Sequence, residues 1–434
     1  MDECESARLV RSQRLFWGEN AVAGVIASLC TGNFLTGYLS WLGADAGFCA
    51  LIGSLPQFGC VLQLVSPLLF ERLSRRKPVI FLMCFLFRFS LGFSILTPLL
   101  FGESKARLTF IFILYFVAYL AAGFVTPALN QWVMDIAPSF GRGKYFARRD
   151  MLSAGCNALA GLAMGWQLDC FVAFGQPLIG FSIVFGTAMV LAVVDAVLLA
   201  SILEKPCVVS HVPCFRGMWE PLGHAKYKKV VLYMIFWYFS TSLATPFLTV
   251  YLIQYMGLSY TFLSSMTVET LLFSLVGNWL FGTVADRAGW KRVLLMTNAL
   301  TASAYLGWTF INTEIVLWAA PLLYGVQSVC TSACAMAALN LQYNGAPPTR
   351  RTTYMGTTAA IGSAFSYAAT LLGSCLQRSW EPMWGGQSIA VLFAVASVCN
   401  GLCLVYGIFC LENRSNVSEK NSVKNQTDDG EKIH

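Results

Sequence analysis

Twelve apolar runs, each about the length that crosses a bilayer, constrain this chain more than any other feature. They extend over Leu15–Trp41, Phe48–Phe70, Pro78–Leu100, Leu108–Met134, Met151–Leu168 and Leu178–Leu203. After a polar stretch they resume over Val230–Tyr255, Tyr260–Val284, Val293–Ile311, Ile315–Leu341, Tyr354–Leu376 and Met383–Leu411. A span needs roughly 20 mostly apolar residues, and in lipid a helix satisfies its own backbone polar groups. The expected fold class is an all-α integral membrane protein with twelve transmembrane helices. Only 12% of the 434 residues are charged, where a soluble domain averages about 25%. The fifteen cysteines suit the same setting: Cys30, Cys84, Cys156 and Cys375 sit singly in apolar runs, where Cys acts as a small hydrophobe. The Cys330/Cys334 and Cys399/Cys403 pairs have helical spacing and no His or carboxylate neighbours, so neither a metal nor another cofactor is expected.

The cations set the orientation. Of 29 Lys and Arg residues, 25 fall on the side that holds the N-terminus, leaving Lys105, Arg107 and Arg378 opposite and Arg88 inside a span. By the positive-inside rule both termini are cytoplasmic. The net charge of +7 thus speaks for a lipid bilayer as partner rather than nucleic acid. Arg8, Arg11 and Arg14 run into an apolar segment too long for the core of a cleavable signal peptide, so the first span is expected to be retained. The expected organisation is a cytoplasmic segment at 1–14, a six-helix half at 15–203, a cytoplasmic loop at 204–229, a second half at 230–411 and a disordered cytoplasmic tail at 412–434. Sequons at Asn413, Asn416 and Asn425 lie in that tail, on the wrong side for glycosylation. A multi-pass protein of the plasma or inner membrane follows.

The two halves repeat. Phe34-Leu-Thr-Gly-Tyr38-Leu recurs as Phe247-Leu-Thr-Val-Tyr251-Leu at an offset of 213. Ala128-Leu-Asn130, with Pro138, Arg142 and Tyr145 behind it, is echoed at 210 by Ala338-Leu-Asn340 and Pro348 and at 209 by Arg351 and Tyr354. Pro67, Glu71, Arg72, Ser74, Arg76 and Lys77 align at 215 with Gly282, Asp286, Arg287, Gly289, Lys291 and Arg292. Similar offsets at matching places indicate a duplication with parallel halves related by an axis along the membrane normal.

The last of these stretches, Gly282-Thr-Val-Ala-Asp286-Arg287-Ala-Gly289-Trp-Lys291-Arg292, resembles the G-x-x-x-D-R-x-G-x-K-R turn of the major facilitator superfamily. With twelve spans in two six-helix halves, the resemblance covers Arg14 to Leu411. It implies a secondary transporter whose cavity is lined by helices 1, 4, 7 and 10, with 2, 5, 8 and 11 at the seam and 3, 6, 9 and 12 toward lipid. It also implies a cytoplasmic gate at Asp286 and Arg287. The first-half copy departs from the pattern, with Pro67 and Ser74 for the glycines and Glu71 for the aspartate; Glu71, Arg72, Asp135 and Arg142 are the gate candidates there. Gathered opposite charges at a mouth can latch one conformation, although exposed pairs are worth only about 0–1 kcal/mol.

Polar side chains inside spans are costly and point to function. Tyr115, Tyr119, Thr126 and Asn130 share one face of the fourth span. Tyr324, Gln327, Thr331 and Cys334 make a similar stripe on the tenth, Trp237, Tyr238, Thr241 and Thr245 on the seventh, and Glu19 and Asn33 lie two heptads apart on the first. Aromatics and amides suit a sugar or a planar organic molecule; a polyspecific apolar pocket, or hydroxyls that only join helices, fit the same residues. Glu269 lies near the middle of the eighth span. An ionised carboxylate there costs roughly 2.5–3.5 kcal/mol, and such a group can load and release a proton. Glu19 is a second proton-coupling candidate, unless Arg14 or the Arg148–Arg149 cluster pairs with it. Arg88 lies eleven residues above Lys77 and Asp195 ten below Lys205, which puts both at one depth at about 1.5 Å per residue. An intramembrane ion pair between them is expected.

The expected function is proton-coupled secondary transport of a small organic solute, a sugar or other small nutrient ahead of drug or metabolite efflux, by a monomer using alternating access. A sensor without flux would keep the same fold. An enzyme is not expected, because His211, His224 and His434 lie in the central loop or tail and neither HExxH nor GxSxG occurs.

Overall fold

Without water to bond to, each apolar run must close its own backbone hydrogen bonds, and in the computed structural model of the chain the described residues form helices joined by short turns, with no strand among them. Those are residues 3–70, 73–138, 142–204, 223–347 and 351–411. Glu71, Arg72, Pro348, most of the central loop and the 412–434 tail lie outside them, as do the side chains of Arg142 and Asp286. Among the described residues twelve helical spans follow in order. They are α1 Ala7–Trp41, α2 Ala46–Leu64, α3 Lys77–Leu100 and α4 Ser104–Ile136, α5 Arg142–Ala173, α6 Pro177–Ser201 and α7 Tyr227–Tyr255. The rest are α8 Tyr260–Ala288, α9 Trp290–Thr309, α10 Val316–Gly345, α11 Arg351–Trp384 and α12 Gln387–Cys410. Ten are apolar enough to cross a membrane on composition alone. The other two, α5 and α9, have the length but carry more Gly, Ser, Thr and Asn. Several helices outrun their apolar runs, α5 most of all, because hydropathy marks hydrocarbon whereas helices continue into the interface.

Two breaks mark the duplication in the backbone. In α1 the helix stops at Cys30 and restarts at Gly32, whose φ of +54° suits glycine. In α7 it stops at Ser242 and restarts at Thr245, with Pro246 in the first turn. Each break directly precedes a copy of the repeated Phe-Leu-Thr-x-Tyr-Leu. A π-helical turn, Tyr251–Tyr255, then ends α7.

Packing gathers the chain into two compact units. One takes α1 to α6 together with Thr241–Val268 and Ala359–Leu392 of the second half, and the other takes the remainder of that half. Each has an apolar core drawn from corresponding elements, to which the second adds α8. In the first, Phe16, Ile80, Cys84, Val125, Trp132 and Leu199 bring together α1, α3, α4 and α6. In the second, Tyr233, Phe281, Leu294, Ala333, Cys334 and Cys403 bring together α7, α8, α9, α10 and α12. Lipid is as apolar as Leu, so such helices associate through close packing of small residues and hydrogen bonds. Gly59 and Gly123 are the tightest instance, since a Cβ on either would run into a backbone carbonyl, of Tyr119 or Gly59 respectively, across the α2–α4 approach.

Candidate functional site

Three ionisable side chains from different helices meet inside the first unit. Arg88 of α3 donates through one Nη to Glu19 Oε1 of α1 at 2.6 Å and through the other to Asp195 Oδ2 of α6. Their side chains are 2–7% exposed. Arg88 and Asp195 thus meet at the shared depth their positions in α3 and α6 indicate. Glu19 is drawn to Arg88 and not to the other two basic candidates: Arg14 is exposed, and Arg149 pairs with Asp150 at 2.8 Å and lies over the Phe146 ring. The remaining oxygen, Asp195 Oδ1, is buried without a partner.

The α4 stripe divides along its length. Tyr115 is fully buried and donates to the carbonyl of Cys30, at the α1 break, at 2.9 Å. Tyr119 is buried against the rings of Phe87 and Tyr115. Thr126 bonds back to Ala122 O at 2.6 Å, Asn130 is exposed, and Asn33 of α1 is half-buried.

In the second unit Trp237 is buried edge-on to the half-buried Tyr238. Tyr324 meets the edge of Trp308, Gln327 keeps a buried Oε1 without a partner, and the Thr331 hydroxyl bonds to Gln327 O at 2.8 Å. Glu269 lies in the α8–α10 seam, close enough that a Cβ on Gly325 would sit 3.3 Å from its carboxylate. The seam continues through Ser328 Oγ on Thr270 O at 2.7 Å and Gly277 against Val329. Among the described residues no cation pairs with Glu269. Thr241, packed with the first unit, accepts from the Thr245 hydroxyl at 2.8 Å.

Away from the N-terminal side, the first unit holds a seal that joins elements of both halves. Asp169 of α5 accepts the backbone N–H of Tyr260 and of Thr261, at 2.8 and 2.7 Å, and the Thr261 hydroxyl at 2.5 Å. It thereby caps the N-terminus of α8, where orphan N–H groups and the helix dipole favour an anion. Arg378 of α11 pairs with Asp45 at 2.6 Å, Gln254 of α7 donates to Ser40 Oγ at 2.7 Å, and Ser374 bonds to Gly47 O. Phe58 of α2 packs on Tyr367 of α11 at 5.0 Å between centroids. Sequence reasoning missed Asp169; its only signal was a carboxylate placed directly after an apolar run.

On the N-terminal side Glu204 accepts from the N–H groups of Arg76 and Lys77 at 2.5 and 2.8 Å, and Arg76 donates to Gln131 at 2.5 Å. Asp135 and Arg287 are exposed. Gly289 turns the chain between α8 and α9 with a φ of +83°, which makes the glycine of that turn a backbone requirement.

No curated protein matches the chain by sequence. Among solved structures it is similar to the nucleoside transporter NupG, with TM-score 0.70 and 10% identity over 92% of this chain and 99% of that one. A D-xylose-proton symporter gives 0.69 and 13% over 94% and 99%, and the xylose transporter XylE from E. coli gives 0.66 and 11% over 94% and 98%. At these identities the likeness shows the fold of two six-helix halves. The sequence profile of the superfamily itself matches residues 15–369, and with that match the chain belongs to the Major Facilitator Superfamily of membrane transporters.

Proposed function

We propose that the protein carries a small organic solute, a sugar or other small nutrient, across the cell membrane by secondary active transport, with proton movement driving an alternating-access cycle. The seal around Asp169 is the observation that carries this reading. It joins first-half and second-half elements through bonds that must break for that side to open, as alternating access requires. Both termini are cytoplasmic in this proposal, on the distribution of Lys and Arg, so the seal closes the outer side. The Tyr, Trp, Asn and Gln side chains on α1, α4, α7 and α10 supply stacking and amide bonding for a hydroxylated solute. Glu269 and Glu19 are the candidate carboxylates for proton coupling. Asp286 and Arg287, with Glu71, Arg72, Asp135 and Arg142, form the inner gate.

Reconstitution of the monomer into liposomes with an imposed pH gradient tests the reading, using a panel of labelled sugars, peptides and cationic dyes. Gradient-dependent accumulation of a sugar is the expected result. Accumulation of dyes alone would turn the assignment to export, and no flux of any probe would leave a sensor.

A further inference from the structure

The meeting of Glu19, Arg88 and Asp195 sets two carboxylates against one guanidinium. If all three are ionised the set carries one net negative charge, held at 2–7% side-chain exposure among three membrane helices. Other groups face it from the neighbouring elements. Cys84 lies one turn before Arg88 on α3, and Tyr145 of α5 donates its hydroxyl to Gln13 O of α1 at 3.0 Å beside the ring of Trp17. None supplies a second cation. On α5, Arg149 is taken up by Asp150 and the Phe146 ring. Both ends of the guanidinium fork are in use, and among the described residues Asp195 Oδ1 is the one carboxylate oxygen buried without a partner. A buried charged acceptor left so costs more than a neutral one, because its desolvation is uncompensated. A proton on that oxygen removes the excess charge and leaves a matched pair of Arg88 with Glu19.

We propose that this set is the proton-carrying site, with Asp195 Oδ1 holding the exchanged proton and Glu19 keeping the ion pair with Arg88. The inference rests on the proton-coupled reading above and places the proton in the first half, away from Glu269. The O–H bond forms on Asp195 with a proton delivered by hydronium and breaks on its return to water, so the step needs no other reactant. Loading turns a net charge of minus one into zero at the junction of α1 with α3 and α6. The helix that carries Glu19 also carries the Gly32 break and Asn33, so the charge change is felt on an element that the proposed solute path shares.

Infrared difference spectra of the whole protein in phosphatidylcholine nanodiscs, taken across a pH step, read the protonated-carboxyl stretch without needing a solute. The wild type should show a buried carboxyl band that titrates, and Asp195→Asn should lose it, whereas Glu269→Gln should keep it. Glu19→Gln should also lose it, because Asp195 then becomes the permanent ionised partner of Arg88. Asp195→Asn and Glu19→Gln each retain one carboxylate on the guanidinium and should fold, which their unfolding temperatures check; if Asp195→Asn does not fold, Glu19→Gln carries the test. In liposomes both variants should lose accumulation of the sugar that the wild type concentrates under a pH gradient. A band that survives both substitutions, or that vanishes only in Glu269→Gln, overturns the inference and leaves the proton-coupled reading standing. Wild-type accumulation indifferent to the gradient overturns both.

Discussion

Lys77 and Lys291, 214 positions apart, do the same thing in the two halves of the protein. Lys77 at the start of α3 places its ammonium on the carbonyls of Ala200 and Ile202 at 2.7 and 2.6 Å, where α6 ends. Lys291 at the start of α9 donates to the carbonyls of Ile408 and Leu411, where α12 ends. A cation among the orphan carbonyls of a C-terminal turn is stabilised by the helix dipole. Lys77→Met and Lys291→Met should therefore destabilise their halves similarly, each by about 0.3–1 kcal/mol, seen as a lower unfolding midpoint in detergent. A large loss from one with none from the other would deny the equivalence.

This pairing also sharpens what the sequence discloses. Alignment of the two turns at 215 matches Lys77 with Arg292, but the residue that takes its role is Lys291, one position earlier. Apolar run lengths make the helices legible because hydrocarbon thickness is a one-dimensional constraint, and depth along two helices was enough to bring Arg88 to Asp195. Glu19 was harder: its depth was readable, but the face it presents depends on how α1 packs. Asp169 was out of reach because its acceptor role depends on N–H groups about ninety positions later. The α4 stripe shows the same limit, since spacing groups Tyr115 with Asn130 although one hydroxyl is spent on Cys30 O and the other side chain is exposed.

The guanidinium of Arg88 is the member of its cluster whose loss should cost most. Arg88→Met leaves two buried carboxyl groups with no cation, and breaking a buried pair in this way costs about 3–5 kcal/mol. Replacing all three residues with apolar ones of similar volume should restore much of that, because desolvation of the charges disappears with them. Unfolding midpoints of the single and triple variants decide it; a single variant as stable as the wild type would mean that the cluster is not held together by charge.

Within the seal around Asp169, that carboxylate should outweigh Arg378. The Asp45–Arg378 pair is 40–67% exposed, and exposed pairs contribute about 0–1 kcal/mol. Asp169 is half-buried and accepts three bonds from one helix terminus, and hydrogen bonds to a charged group are worth about 1.5–3 kcal/mol. Asp169→Ala should speed amide hydrogen exchange at Tyr260 and Thr261 by about ten- to a hundredfold. Arg378→Ala should leave it nearly unchanged. Equal effects would assign the seal to general packing.

Glycine substitutions separate close helix approach from mere flexibility. Gly123 faces the carbonyl of Gly59, and an added methyl there meets backbone that cannot rotate aside. Gly123→Ala must push α4 away from α2, at about 1–3 kcal/mol for overpacking. Gly161, in the interior of α5, has nothing within 4 Å of the position its Cβ would take. Ala there removes the conformational entropy penalty of a helical glycine, about 0.5–1 kcal/mol. The unfolding midpoint should accordingly fall for Gly123→Ala and hold or rise for Gly161→Ala. A rise in both would mean that α2 and α4 are free to separate, and the approach at Gly59 would lose its structural meaning.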